Sequence, residues 1–136
     1  MKIFSIPGKL EVTWNSELKA IIDTWQTYHI SLPEFREAVL VKGLDHSKAN
    51  GGIAWIVDSS LAEGVFTQEI HRFIDTDIFP AFARNGVKYF ITITSTVSAL
   101  TKLNVMGYSA KTGPNGLKLV ELNSTADAIE WLRKNA

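Results

Sequence analysis

The chain contains no cysteine. That excludes a disulfide framework, a thiolate metal site and a thiol nucleophile, and it fits a reducing compartment. It also lacks a long apolar run. The longest stretches are strand-sized, far short of the roughly 20 residues that span a bilayer, and Pro7-Gly8 breaks the only apolar stretch near the N-terminus before it reaches signal-peptide length. An excess of charge is missing too. Fourteen basic residues cancel fourteen acidic ones, and no run of Lys or Arg supplies the basic stripe of a nucleic-acid binder. The expectation is a cytoplasmic protein that neither spans a membrane nor binds nucleic acid.

What is present is ordinary globular material: 46% hydrophobic and 21% charged residues over 136 positions, enough to bury a core as one domain, 1–136. Lys2 to Ile6 and Lys9 to Trp14 read as two strands about a Pro7-Gly8 turn. In the second, Leu10, Val12 and Trp14 alternate with polar residues, the pattern of a half-buried strand. Residues 17–28 carry both signals. Leu18, Ile21, Ile22 and Trp25 have helical spacing, while the β-branched and aromatic content favours a strand. A third strand is the reading adopted.

Ser31-Leu32-Pro33-Glu34 is a capping box that opens a helix, with Leu32, Phe35, Ala38, Val39 and Val41 as its expected buried stripe. Ile53 to Val57 form a continuous apolar strand. Thr67 caps the longest helix, Pro80 should kink it, and Gly86 stops it. Tyr89 to Thr94 make a further strand, Val97 to Val105 a short helix, and Gly107 to Gly116 a loop. Leu117 to Leu122 give the last strand, and Ser124 with Asp127 opens a final helix. The order β-β-β-α-β-α-β-α-β-α predicts an α/β fold: a mixed β-sheet with a parallel part and helical cover.

Chemistry is sparse. His29, His46 and His71 fall on different elements without metal-ligand spacing, and no Walker-type loop or dinucleotide fingerprint is present. No metal or cofactor is expected, and no catalytic residues are assigned. Trp14, Trp25, Trp55 and Trp131 are favoured as packing residues, with Trp25 and Trp55 the candidates for ligand contact. Asp58-Ser59-Ser60, directly after the buried strand, is the candidate phosphorylation or binding loop. At this end of a strand, open α/β sheets place functional loops.

Several of these segments together resemble the STAS/SpoIIAA-like domain family, in its uncharacterised bacterial branch. They are the extended segment reaching Trp25 and leading into Ser31-Leu32-Pro33-Glu34-Phe35-Arg36, and Ala54-Trp55-Ile56-Val57-Asp58 with its terminal aspartate. Phe79-Pro80 through Asn85-Gly86-Val87 and Leu122-Asn123-Ser124 with Ala128 and Trp131-Leu132 complete the likeness. The resemblance implies a SpoIIAA/STAS-like fold. In regulatory members, an Asp-Ser-Ser-Gly or Asp-Ser-Thr-Gly turn is phosphorylated by a partner kinase. Asp58-Ser59-Ser60 matches that turn, but Leu61 replaces the glycine and the loop runs on to Gly64.

The leading expectation is a non-enzymatic regulatory or binding module acting through a protein partner or a small apolar ligand. The alternatives are a phospho-regulated switch like the anti-sigma-factor antagonists, a small hydrolase built on Asp58, a serine and His71, and a homo-oligomer whose role is assembly.

Overall fold

The computed structural model describes residues 2–64, 66–93, 117–122 and 124–135. Strands β1 (Lys2–Ile6), β2 (Leu10–Asn15) and β3 (Ala20–Trp25) form an antiparallel meander. Strands β4 (Ala54–Asp58), β5 (Tyr89–Ile93) and β6 (Lys118–Leu122) continue from β3 in parallel. The six strands lie in the order in which the chain visits them. The mixed α/β sheet expected from the pattern is therefore present, and the ambiguous third segment is a strand over Ala20–Trp25. The expected helix at 97–105 and loop at 107–116 lie outside the described residues.

Two helical rods join the parallel strands. The first runs through α1 (Leu32–Phe35), a π-helical stretch (Arg36–Gly43) and α2 (Leu44–Ala49). The second runs through α3 (Gln68–Phe73), a π-helical stretch (Ile74–Ile78) and α4 (Phe79–Arg84). The sheet advances in one direction at each step, so crossovers of a single hand place both rods on the same face. Helix α5 (Thr125–Asn135) packs on the opposite face.

Local chemistry explains how the rods begin. The Ser31 hydroxyl accepts from the Glu34 N–H, and the Glu34 carboxylate accepts from the Ser31 N–H, which completes the capping box. Lys9 Nζ reaches Glu34 Oε1 at 2.9 Å, and this hydrogen bond is the main reason the Glu34 carboxyl is held below its usual range. Thr67 caps the second rod by accepting from Ile70 N–H. Gly86, with φ of 92°, takes the left-handed turn that ends it.

The rods depart from the sequence expectation in their middles. The Leu44 N–H donates to the Val39 carbonyl, and the Phe79 N–H to the Ile74 carbonyl, each five residues back. The wider turn rotates later residues by a smaller angle, so Val41, expected in the buried stripe, is 36% exposed. It also alters the setting of Pro80. This residue lies at the start of α4, directly after the π-helical stretch, and the rod remains helical through it. Gly43 is required for close approach: a Cβ there would fall 2.7 Å from the Trp55 ring.

Strand alternation divides the core. Ile21, Asp23 and Trp25 of β3, Trp55 and Val57 of β4, and Phe90 and Thr92 of β5 face the rods. Ala20, Ile22, Ala54, Ile56, Ile91 and Ile93 face α5, where Ala128 and Leu132 close the layer.

Candidate functional site

The rod-facing side of the sheet holds a cavity. Asp23, Val57 and Thr92 are register partners on successive parallel strands, so their side chains form one row across its floor. Val39 and the Ile74–Ile78 turn come from the π-helical stretches, and Trp25, Tyr28, Phe35, Trp55, Phe66, Phe79 and Phe82 supply aromatic walls. The cavity volume is about 50 Å³. The void is thus a narrow slot. It has more room than the ~10–15 Å³ that seats one water.

Asp23 is the unusual member. Strand alternation places its carboxylate on the core side, where the residue is 1% exposed. Trp55 Nε1 donates to Oδ2 at 2.7 Å, while Oδ1 has no hydrogen-bond partner among the described residues. Burial without a countercharge penalises the ionised form, and the indole bond offsets only part of this. The carboxyl is pushed up to about 7 from an ordinary 3.8. Natural cores rarely retain such a group, because an unsatisfied buried acceptor costs roughly 1–3 kcal/mol.

The walls are ordered by ring contacts. Tyr28 stacks on Phe66 with centroids 4.1 Å apart, Trp25 meets Phe66 edge-on at 5.3 Å, and Trp55 stacks on Phe82 at 4.2 Å. Tyr28 hydrogen-bonds through its hydroxyl to the Ser59 hydroxyl. Burial raises the Tyr28 phenol well above its usual value. The Ser59 bond acts against that shift, and the Asp23 and Asp58 charges add to it. His71 also lines the slot, its ring 5.9 Å from Phe66.

The residues singled out from sequence fall in two places. Trp25 and Trp55 line the cavity, whereas Trp14 packs edge-on to His46 and Trp131 edge-on to Tyr89 on the α5 face. Asp58 organises the loop after β4. Its Oδ1 accepts from the Ser60 N–H at 3.0 Å and the Ser60 hydroxyl at 2.6 Å, and its Oδ2 accepts from Thr125 at 3.1 Å. Ser59 is 0% exposed, its N–H bonded to the Ile93 carbonyl and its hydroxyl to Tyr28. A kinase would reach it only after this loop opens. Leu61, 70% exposed, is the solvent-facing tip.

Asp23 was not among the residues singled out from the sequence. The available signal was an acidic residue at the buried phase of an otherwise apolar strand, between Ile21 and Trp25. Among the described residues, no three His, Asp or Glu side chains gather as a metal site, and no helix is long and apolar enough to cross a membrane. No family model matches the chain, and no curated protein or solved structure matches it.

Proposed function

We propose that the chain is a non-enzymatic binding module of STAS/SpoIIAA-like type that takes up a small, mostly apolar ligand between its sheet and its two helical rods. The observation that carries this reading is the aromatic-walled slot with a buried polar group in its floor. Ligand pockets in general combine apolar walls with a few placed polar groups. A protein without an occupant gains nothing from an open slot, because its lining forfeits contacts on one side. The mixed sheet and the order of its described elements support the family assignment, although fold alone does not assign function. The cytoplasmic setting belongs to the same proposal.

The regulatory form of this reading has its own support. The Tyr28–Ser59 hydrogen bond joins the cavity wall to the Asp58–Leu61 loop, whose exposed tip suits a protein partner. A ligand that moves Tyr28 would change how that loop is held.

Ethylbenzene is a suitable neutral probe. Titrated into the native chain, it should shift the indole N–H resonances of Trp25 and Trp55 and raise the melting temperature by mass action. Val39→Phe, which fills the slot from the first rod, should remove both effects and leave a folded protein. Indole resonances that stay unmoved at saturating ethylbenzene would rule out the cavity as a ligand site.

A further inference from the structure

The polar floor of the slot narrows the class of ligand. We propose that the cavity takes an organic amine, whose ammonium donates to Asp23 Oδ1 while its apolar body lies among the aromatic walls; this rests on the ligand-binding reading above.

The argument begins with what Asp23 lacks. Its Oδ2 is already engaged by the Trp55 indole, and its Oδ1 is buried beside the slot without a partner. An ionised carboxylate only accepts hydrogen bonds, so whatever completes it must bring an N–H or O–H. Among the described residues none supplies such a donor to Oδ1, and the Tyr28 hydroxyl is bonded to Ser59.

Charge then separates the donors. A neutral alcohol would satisfy the hydrogen bond but leave a full negative charge in an apolar wall, which is costly. An ammonium satisfies the bond and supplies the countercharge together. A lining rich in aromatic rings, Trp25, Tyr28, Phe66 and Trp55 among them, suits a cation better than an anion. A carboxylate or phosphate ligand would meet Asp23 as a like charge. The high proton affinity of the empty site, near 7, reports the same deficit: the carboxyl keeps a proton where no other cation is present.

The test is a matched series on the native chain: phenethylamine, phenethyl alcohol, ethylbenzene and hydrocinnamate. These share one ring and differ in the polar end. Calorimetry near pH 8, above the Asp23 value of about 7, should give phenethylamine an affinity about tenfold or more above phenethyl alcohol. Hydrocinnamate should be the weakest. Asp23→Asn keeps an oxygen acceptor for the Trp55 indole and removes the charge. It should bring the amine down to the level of the alcohol. If that variant does not fold, the ranking of amine over alcohol on the native chain decides alone.

Ethylbenzene binding without a preference for the amine would overturn the ligand class and leave the cavity reading intact. Tighter binding of hydrocinnamate would overturn the ligand class in the same way. Failure of every probe to bind would remove both readings.

Discussion

The two faces of the sheet are built from alternate residues of the same strands, yet they are packed on different principles. Towards α5 the buried side chains are small or aliphatic: Ala20, Ala54, Ile56, Ile91 and Ile93 meet Ala128 and Leu132. Towards the rods they include the rings of Trp25, Trp55 and Phe90 and the carboxylate of Asp23, and they enclose a slot against two π-helical stretches. Aliphatic side chains of matched size fill space to crystal-like density. The rod face departs from that density at the slot. One face therefore reads as the support and the other as the working surface. The orphaned Asp23 oxygen lies on the side where the packing is open.

The largest expected difference between the faces is electrostatic. Asp23 binds its proton more tightly in the folded chain, at about 7 against an ordinary 3.8. The folded state is favoured by that proton below about pH 4, loses the benefit as the pH rises through about 7, and changes no further above it. At about 1.4 kcal/mol per unit, the loss is on the order of 4 kcal/mol. Urea unfolding of the native chain from acid to weakly alkaline pH should show this fall, and Asp23→Asn should flatten it. An equal slope in both proteins would mean that Asp23 is solvated or paired in solution.

Core truncation comes next. Ile56→Ala on the support face should cost about 3 kcal/mol, because it opens a cavity in a filled layer. Val57→Ala, one residue along the same strand, should cost only about 1 kcal/mol, since that side chain already borders free space. Equal midpoint shifts in chemical denaturation would show that the slot is closed in solution.

The loop after β4 gives a smaller contrast. Ser59→Ala strands the buried Tyr28 hydroxyl and should cost about 2 kcal/mol. Ser60→Ala removes a half-buried hydroxyl from Asp58, which still accepts from the Ser60 N–H and from Thr125, and should cost less than about 1 kcal/mol. Thermal melts of the two variants would rank them. A further effect is local: Ser31→Ala, which removes the cap of the first rod, should cost about 1 kcal/mol on either side of pH 7.

These magnitudes also mark what the sequence made legible. The Ser31–Glu34 box, the Thr67 cap and the alternation of Leu10, Val12 and Trp14 act within a few residues, so their spacing alone announces them. The contested third strand was settled by side-chain type, since Ile21, Ile22 and Thr24 favour an extended backbone. Asp23 and Ser59 were harder. Asp23 meets Trp55 across 32 residues of sequence, and Ser59 meets Tyr28 across 31. A carboxylate or hydroxyl seen in isolation reads as a turn former. Only the folded register turns one into a cavity floor and the other into a buried anchor. The π-helical turns were invisible for a related reason. They depend on how each rod seats against the sheet, and Val41 shows the resulting rotation.

The consecutive strand order has a consequence in time. Because no described strand inserts between two earlier ones, the sheet grows along one edge as a ribosome delivers the chain, each new strand meeting its neighbour already in place. Every described residue that lines the slot lies between Asp23 and Thr92. That part of the lining is therefore synthesised before β6 and α5 emerge, and an occupant that enters early could template the half-made domain while its opposite face is still bare.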